Sequence, residues 1–156
     1  MPFADAAAEE LERAVALVEA LVALARPAPP PVDLWTMARP LGVIYGALFA
    51  AQGGTLSLRA PEAVLPPVRV ARDGNVVRLA CEAAFDAVTR VPAAVQCTAA
   101  LEEGAPALQL TGALATAIDR AVGEAAGKVG IRIRATADRL SVICPGTDRP
   151  SLDHES

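Results

Sequence analysis

The stretch Asp73-Gly-Asn-Val-Val-Arg-Leu-Ala-Cys-Glu-Ala-Ala-Phe-Asp-Ala87 decides how this chain is read. Asp73-Gly74 is a turn signal, and a helix is expected from about Val76 to Arg90, stopped by Pro92. Arg78, Glu82, Asp86 and Arg90 stand four residues apart and fall in one row along that helix. Upstream, Val68–Arg72 alternates like a half-buried strand. Downstream, Val95–Leu101 and Ala107–Leu110 read as a hairpin across Glu102-Glu103-Gly104. A helix over about Ala115–Ala126, with Gly127 past its end, and two strands, Ile131–Ala135 and Leu140–Cys144, complete this half.

Working towards the N-terminus, Thr55–Arg59 alternates as a strand, and Gly53-Gly54 stops a helix running from about Trp35 to Gln52. Pro40 bends that helix or sits in its first turn, and a short strand at Val32–Leu34 precedes it. Residues 4–26 form a long helix without internal Gly or Pro. Its apolar positions Leu11, Ala14, Val15, Val18, Leu21, Val22 and Ala25 recur at three- and four-residue steps. Leu17 and Leu24 widen the stripe, so the helix needs partners on more than a narrow seam. Its acidic residues crowd the first half and Arg26 closes it, as the helix dipole prefers.

The proline-rich run Arg26-Pro-Ala-Pro-Pro-Pro31 is a stiff spacer. The expected organisation is an N-terminal helix (1–27), a linker (28–31), an α/β domain (32–146) and a polar tail (147–156). Hairpins interleaved with helices predict a two-layer α/β sandwich, a mixed and mostly antiparallel sheet with helices on one face.

Composition narrows the function. The chain has 156 residues, 53% apolar and only 3% aromatic, so it can bury a core built largely of Ala, Val and Leu. With 14 basic against 18 acidic side chains its net charge is −4, which argues against nucleic acid or an anionic membrane as partner. The longest strongly apolar stretch, Leu41–Ala51, falls short of the roughly 20 residues a bilayer requires. Asp5, Glu9, Glu10 and Glu12 precede any apolar run, unlike a signal peptide, and a cytoplasmic location is expected. Cys81, Cys97 and Cys144 lie in apolar surroundings and read as buried free thiols. The single histidine, His154, sits in the polar tail, which speaks against histidine-centred chemistry in this chain.

The run Glu10-Leu-Glu-Arg-Ala-Val-Ala-Leu-Val-Glu-Ala-Leu-Val-Ala-Leu-Ala-Arg-Pro27, followed by Pro31-Val-Asp-Leu34, resembles the second dimerisation helix of a sensor histidine kinase and its link to the ATPase domain. The element order after it resembles that ATPase domain, of the gyrase, Hsp90, histidine kinase and MutL superfamily, and the likeness covers roughly residues 10–145. The stretch 73–87 falls where the family carries its Asn-rich helix. The resemblance implies that Glu82 stands at the residue that polarises water or supports the metal, and Asp86 where an Asn normally holds magnesium. Read without the family, Arg78, Glu82, Asp86 and Arg90 are a solvated, charge-paired helix face, and that reading is the stronger.

Other parts of the family's apparatus are missing. Where an Asp-x-Gly-x-Gly box should stand, the chain has Leu108-Gln-Leu-Thr-Gly-Ala113, without a carboxylate, and no room is left for a lid. Gly123-Glu-Ala-Ala-Gly-Lys128 is one residue short of a P-loop and reads as a helix C-terminus. The phosphoacceptor histidine is not found either.

The expectation is therefore a non-catalytic, histidine-kinase-like signalling or regulatory protein without a cofactor. Its partner would be a second copy or a two-component protein, held by Leu11, Val15, Val18, Leu21 and Val22. The alternative is a residual Mg-ATP site on Glu82 and Asp86. A third reading is a small apolar ligand pocket near Cys81 and Cys97. Trp35 and Tyr45 are expected as core anchors.

Overall fold

The computed structural model describes residues 2–26, 32–68, 75–90, 93–112, 120–128 and 130–145. In chain order the elements are α1 (Pro2–Ala25), α2 (Leu34–Ala51), β1 (Thr55–Leu58), α3 (Asn75–Val88), β2 (Ala94–Glu102), β3 (Ala105–Gly112), α4 (Arg120–Lys128), β4 (Arg132–Ala135) and β5 (Arg139–Ile143). The strands form one sheet in the order β1-β2-β3-β5-β4. β1 runs parallel to β2, reached by a crossover through α3, and the other three pairings are antiparallel.

Strand alternation divides the sheet. Val95, Cys97 and Ala99 of β2, Leu108 and Leu110 of β3, and Leu140 and Val142 of β5 lie in the core, with Phe49 of α2 and Val77, Cys81, Ala84 and Phe85 of α3. The opposite face presents Gln96, Thr98, Gln109, Thr111 and Arg139. This is the expected two-layer α/β sandwich. Its core combines small side chains (Ala, Val, Cys) with several leucines and the rings of Phe49 and Phe85, and glycines let the backbone come close to the larger ones. At Gly54 an added Cβ would fall 2.5 Å from the ring of Phe49, which is fully buried. At Gly42 it would fall 2.5 Å from Leu58 Cδ2, so the glycine lets α2 lie close over β1.

The β2–β3 connection is a two-residue turn, since Glu102 pairs with Ala105. Glu103 and Gly104 both have positive φ, 56° and 81°, the conformation whose twist suits a tight hairpin. Glu103 accepts hydrogen bonds there from Arg132 at 2.8 Å and Arg134 at 2.5 Å, which helps hold a non-glycine residue in an unfavourable region.

Several boundaries differ from expectation. The Val32–Leu34 strand reduces to one antiparallel bridge, Val32 to Val68, closed by hydrogen bonds of 2.8 and 2.7 Å. Leu34 already belongs to α2, because the Asp33 carboxylate caps it, accepting from the amides of Trp35 and Thr36. Pro40 lies inside α2. Gly127 is not past the end of α4, since a glycine is tolerated in a helix interior and the helix runs on to Lys128. The residue beyond it with the left-handed backbone is Gly130, at φ 86°. The expected strand residues 69–72, the Asp73-Gly74 turn, Pro92, the first residues of the 115–126 helix, the 28–31 linker, and the tail with His154 lie outside the described residues.

α2, at 18 residues, is by length and composition apolar enough to cross a membrane. Here it is a core helix that buries Leu34, Met37, Ala38, Leu41, Gly42 and Phe49.

Candidate functional site

Two surfaces hold the residues singled out from the sequence, the outer face of α3 and the outer face of α1. α3 turns Val77, Ala80, Cys81, Ala84, Phe85, Ala87 and Val88 into the core. Glu82 and Asp86 therefore project to solvent on one side of the same helix. Beside them the Tyr45 ring of α2 stacks on Phe85, centroids 5.6 Å apart and planes 13° from parallel. Burial, and then the negative charges of Glu82 and Asp86, push the Tyr45 phenol above its ordinary pKa.

The expected charge row is only half formed. Asp86 accepts a hydrogen bond from Arg90 at 3.2 Å. Arg78 does not pair with Glu82. Its Nη1 donates to the carbonyl oxygen of Leu24 at 2.9 Å and its Nη2 to that of Arg26 at 3.0 Å, at the C-terminus of α1. Energies explain the choice. An Arg placed four residues before a Glu is the weaker orientation of a pair worth about 0.2–0.5 kcal/mol. A hydrogen bond to a charged donor is worth about 1.5–3 kcal/mol, and the last carbonyls of a helix carry roughly half a negative charge. The cation expected at the end of α1 is therefore not Arg26, which lies just past the helix, but Arg78, 52 residues further on. Sequence reasoning placed Arg78 in the solvated row. No local signal betrays a contact of that span.

As a magnesium-nucleotide site, the described residues fit poorly. Among the described residues Glu82 and Asp86 are the two carboxylates on the outer face of α3, and Asp86 is already engaged by Arg90. Among the described residues no group of three His, Cys, Asp or Glu side chains could hold a metal ion. Leu108 and Leu110 of the Leu108–Ala113 stretch are buried, and Gln109 donates to Glu102 at 2.9 Å. Gly123–Lys128 is helical, so its amides are not arranged as a phosphate-binding loop.

The thiols are free and fully buried. Burial raises the Cys81 pKa well above the usual value, with the neighbouring Cys144 and Cys97 adding to the rise, and pushes Cys97 and Cys144 up to about 12. These sulfurs fill space in the core, and neither Cys81 nor Cys97 lines the described cavities. Trp35 and Tyr45 are half-buried and pack against the core. A groove of about 430 Å³ lies on the other face of the sheet, between residues 59–65 and β2, β3 and β5. Three of its polar groups already have partners, Arg59 and Glu62 with each other at 3.3 Å and Gln109 with Glu102.

α1 has two apolar stripes. Ala16, Leu17, Ala20, Ala23 and Leu24 are covered where the helix packs on α2, and Leu24 reaches the core. Leu11, Val15, Val18, Leu21 and Val22 are exposed, at 47–66% of their full accessibility. The two stripes explain why the sequence pattern was too broad for one seam.

The chain is structurally similar to the Acinetobacter baumannii histidine kinase AdeS, with a TM-score of 0.57 and 9% identity, over 93% of this chain and 81% of that one. It is also similar to the cytoplasmic segment of the histidine kinase QseC, with a TM-score of 0.50 and 13% identity, over 85% and 87% of the two chains. No family model and no curated protein matches the sequence. The fold is that of a histidine-kinase core, an ATPase-like α/β domain carrying a long N-terminal helix.

Proposed function

We propose that this chain is a non-catalytic signalling or regulatory protein of two-component type that acts in the cytoplasm through protein contacts. The observation that carries the reading is the outer face of α1. Five large aliphatic side chains stand exposed along one side of a helix whose other side is already packed. A contiguous stripe of this kind is the usual mark of a helical interface. The arm would pair with a second copy, or dock beside a two-component partner, and the domain would serve as scaffold.

Light scattering on a size-exclusion column tests the reading. The unaltered chain is expected at twice its 16.0 kDa mass. Val15→Glu with Val18→Glu is expected to give the monomer with an unchanged melting temperature. A monomeric unaltered chain, together with failure to co-elute with a response-regulator receiver domain, would refute the interface.

The second reading, a residual ATPase or kinase site, is favoured by the two carboxylates that share the outer face of α3 beside Tyr45. It predicts magnesium-dependent binding of a non-hydrolysable ATP analogue in a calorimeter, abolished by Glu82→Ala with Asp86→Ala. A flat titration at millimolar analogue eliminates it and leaves the domain without a cofactor.

A further inference from the structure

We infer that Arg78 is a latch that holds the α1 arm on the α/β domain, with Glu82 as the partner that receives the guanidinium whenever the arm lifts. The latch follows from the hydrogen bonds alone. Its bearing on docking rests on the proposed reading of the α1 outer face.

The arm is lightly held elsewhere. Its seam against α2 consists of Ala16, Ala20 and Ala23 with Leu17 and Leu24, and Ala20 alone among the described side chains of α1 is fully buried. Alanines bury little apolar area each, so the seam contributes only a modest hydrophobic term. The arm's last turn contains no basic residue of its own. Its terminal carbonyls are instead gripped by one side chain of α3, which is anchored in the core by seven buried residues. Both terminal nitrogens of Arg78 are spent on the arm, and its Nε is buried without a hydrogen-bond partner. Releasing the arm therefore strands a positive charge that is aimed at nothing else.

Glu82 changes that. It lies one turn along from Arg78, a spacing that brings the two Cβ atoms to about 5–6 Å. Among the described residues it makes no hydrogen bond or ion pair, whereas Asp86 is taken by Arg90. Arg78 thus has a strong pair of acceptors with the arm down and a weaker one with the arm up. The structure records the first. A Glu at 82 lowers the cost of lifting the arm without favouring the lifted state. The exposed stripe on α1 would then be presented to a partner at an angle fixed by the latch.

Spin labels on Glu12→Cys and Ala135→Cys, both exposed positions, report the angle, and the buried native thiols will not compete for label. The unaltered chain is expected to give one narrow distance distribution. Arg78→Met is expected to broaden it and to speed hydrogen exchange in the last turn of α1 by roughly tenfold. Glu82→Gln is expected to slow that exchange by about twofold, because the lifted state loses its consolation partner. Should Arg78→Met fail to fold, Arg78→Lys replaces it, keeping the charge but not the two-pronged contact, and its exchange should be faster than in the unaltered chain. Distances and exchange unmoved by the Arg78 variant, or Glu82→Gln indistinguishable from the unaltered chain, overturns the latch. Failure of the docking reading would show differently, as a mass unaffected by the Val15 and Val18 changes while the latch measurements hold.

Discussion

Helices α1 and α3 are both rich in Ala, Val and Leu, and they end in opposite states. α3 spans 14 residues, seven of which are buried against the sheet, and its remaining residues are charged or half-buried apart from the exposed Leu79. α1 spans 24 residues and fully buries one described side chain. The difference lies in what each helix was given to cover. α3 crosses between two parallel strands and is forced onto the sheet by the connection itself. α1 lies on top of α2, outside the sheet layer, where only one stripe finds a surface. Composition alone cannot tell these situations apart, because a side chain's apolarity does not reveal whether the fold supplies a partner.

Mutations along the two helices sharpen the contrast. Phe85→Ala removes the largest buried side chain of α3 and its stack with Tyr45, and should cost about 3–5 kcal/mol in denaturant unfolding. Leu17→Ala on the covered stripe of α1 is expected to cost only about 1 kcal/mol, since the side chain is half-buried. An equal cost at the two sites would break the comparison. Asp86→Asn, on the solvated face of α3, should cost no more than about 0.5 kcal/mol, because an exposed i, i+4 ion pair is all it removes.

The thiol of Cys81 gives the same contrast a chemical form. Its pKa is raised, so the neutral thiol is favoured in the folded state. The corresponding stability is fully present below the ordinary thiol value of 9.0 and is lost as the pH rises above it, towards the value of about 12 held by Cys97 and Cys144. Labelling by a disulfide reagent at pH 8 is expected to proceed no faster than global unfolding. Midpoints of denaturant unfolding should fall between pH 9 and 12. Rapid labelling of the native protein would mean that α3 opens as readily as the arm.

Much of the architecture was legible because it follows local rules. Alternation gave β1, β4 and β5, the Glu102-Glu103-Gly104 turn signal gave the β2–β3 hairpin, Gly53-Gly54 stopped α2, and the spacing of leucines and valines gave one broad apolar stripe on α1, which the fold divides into a covered and an exposed part. The illegible parts depend on contacts across the sequence. Val32 and Val68 form a single bridge over 36 positions, too short to leave an alternation of its own. Arg78 looked like a member of a surface row because three neighbours at four-residue spacing made a row, while its real acceptors are carbonyls, which have no side chain to read. Glu82 and Asp86 were correctly placed on one exposed face, since helical geometry fixes that much. A ligand there would depend on groups from other elements, which spacing does not encode.

The sheet has its two shortest strands at its edges. β1 and β4 are four residues each, and both turn polar side chains away from the core, Thr55 and Ser57 on one edge and Arg132 and Arg134 on the other. Exposed edges invite strand-to-strand stacking with other chains, and brevity and positive charge are what discourage it. In a chain that is 53% apolar this restraint bears on how the molecule can assemble at all. With open-ended stacking through the sheet discouraged, the association proposed for the outer face of α1 would run through a helix, where a pair of surfaces can saturate each other and growth stops.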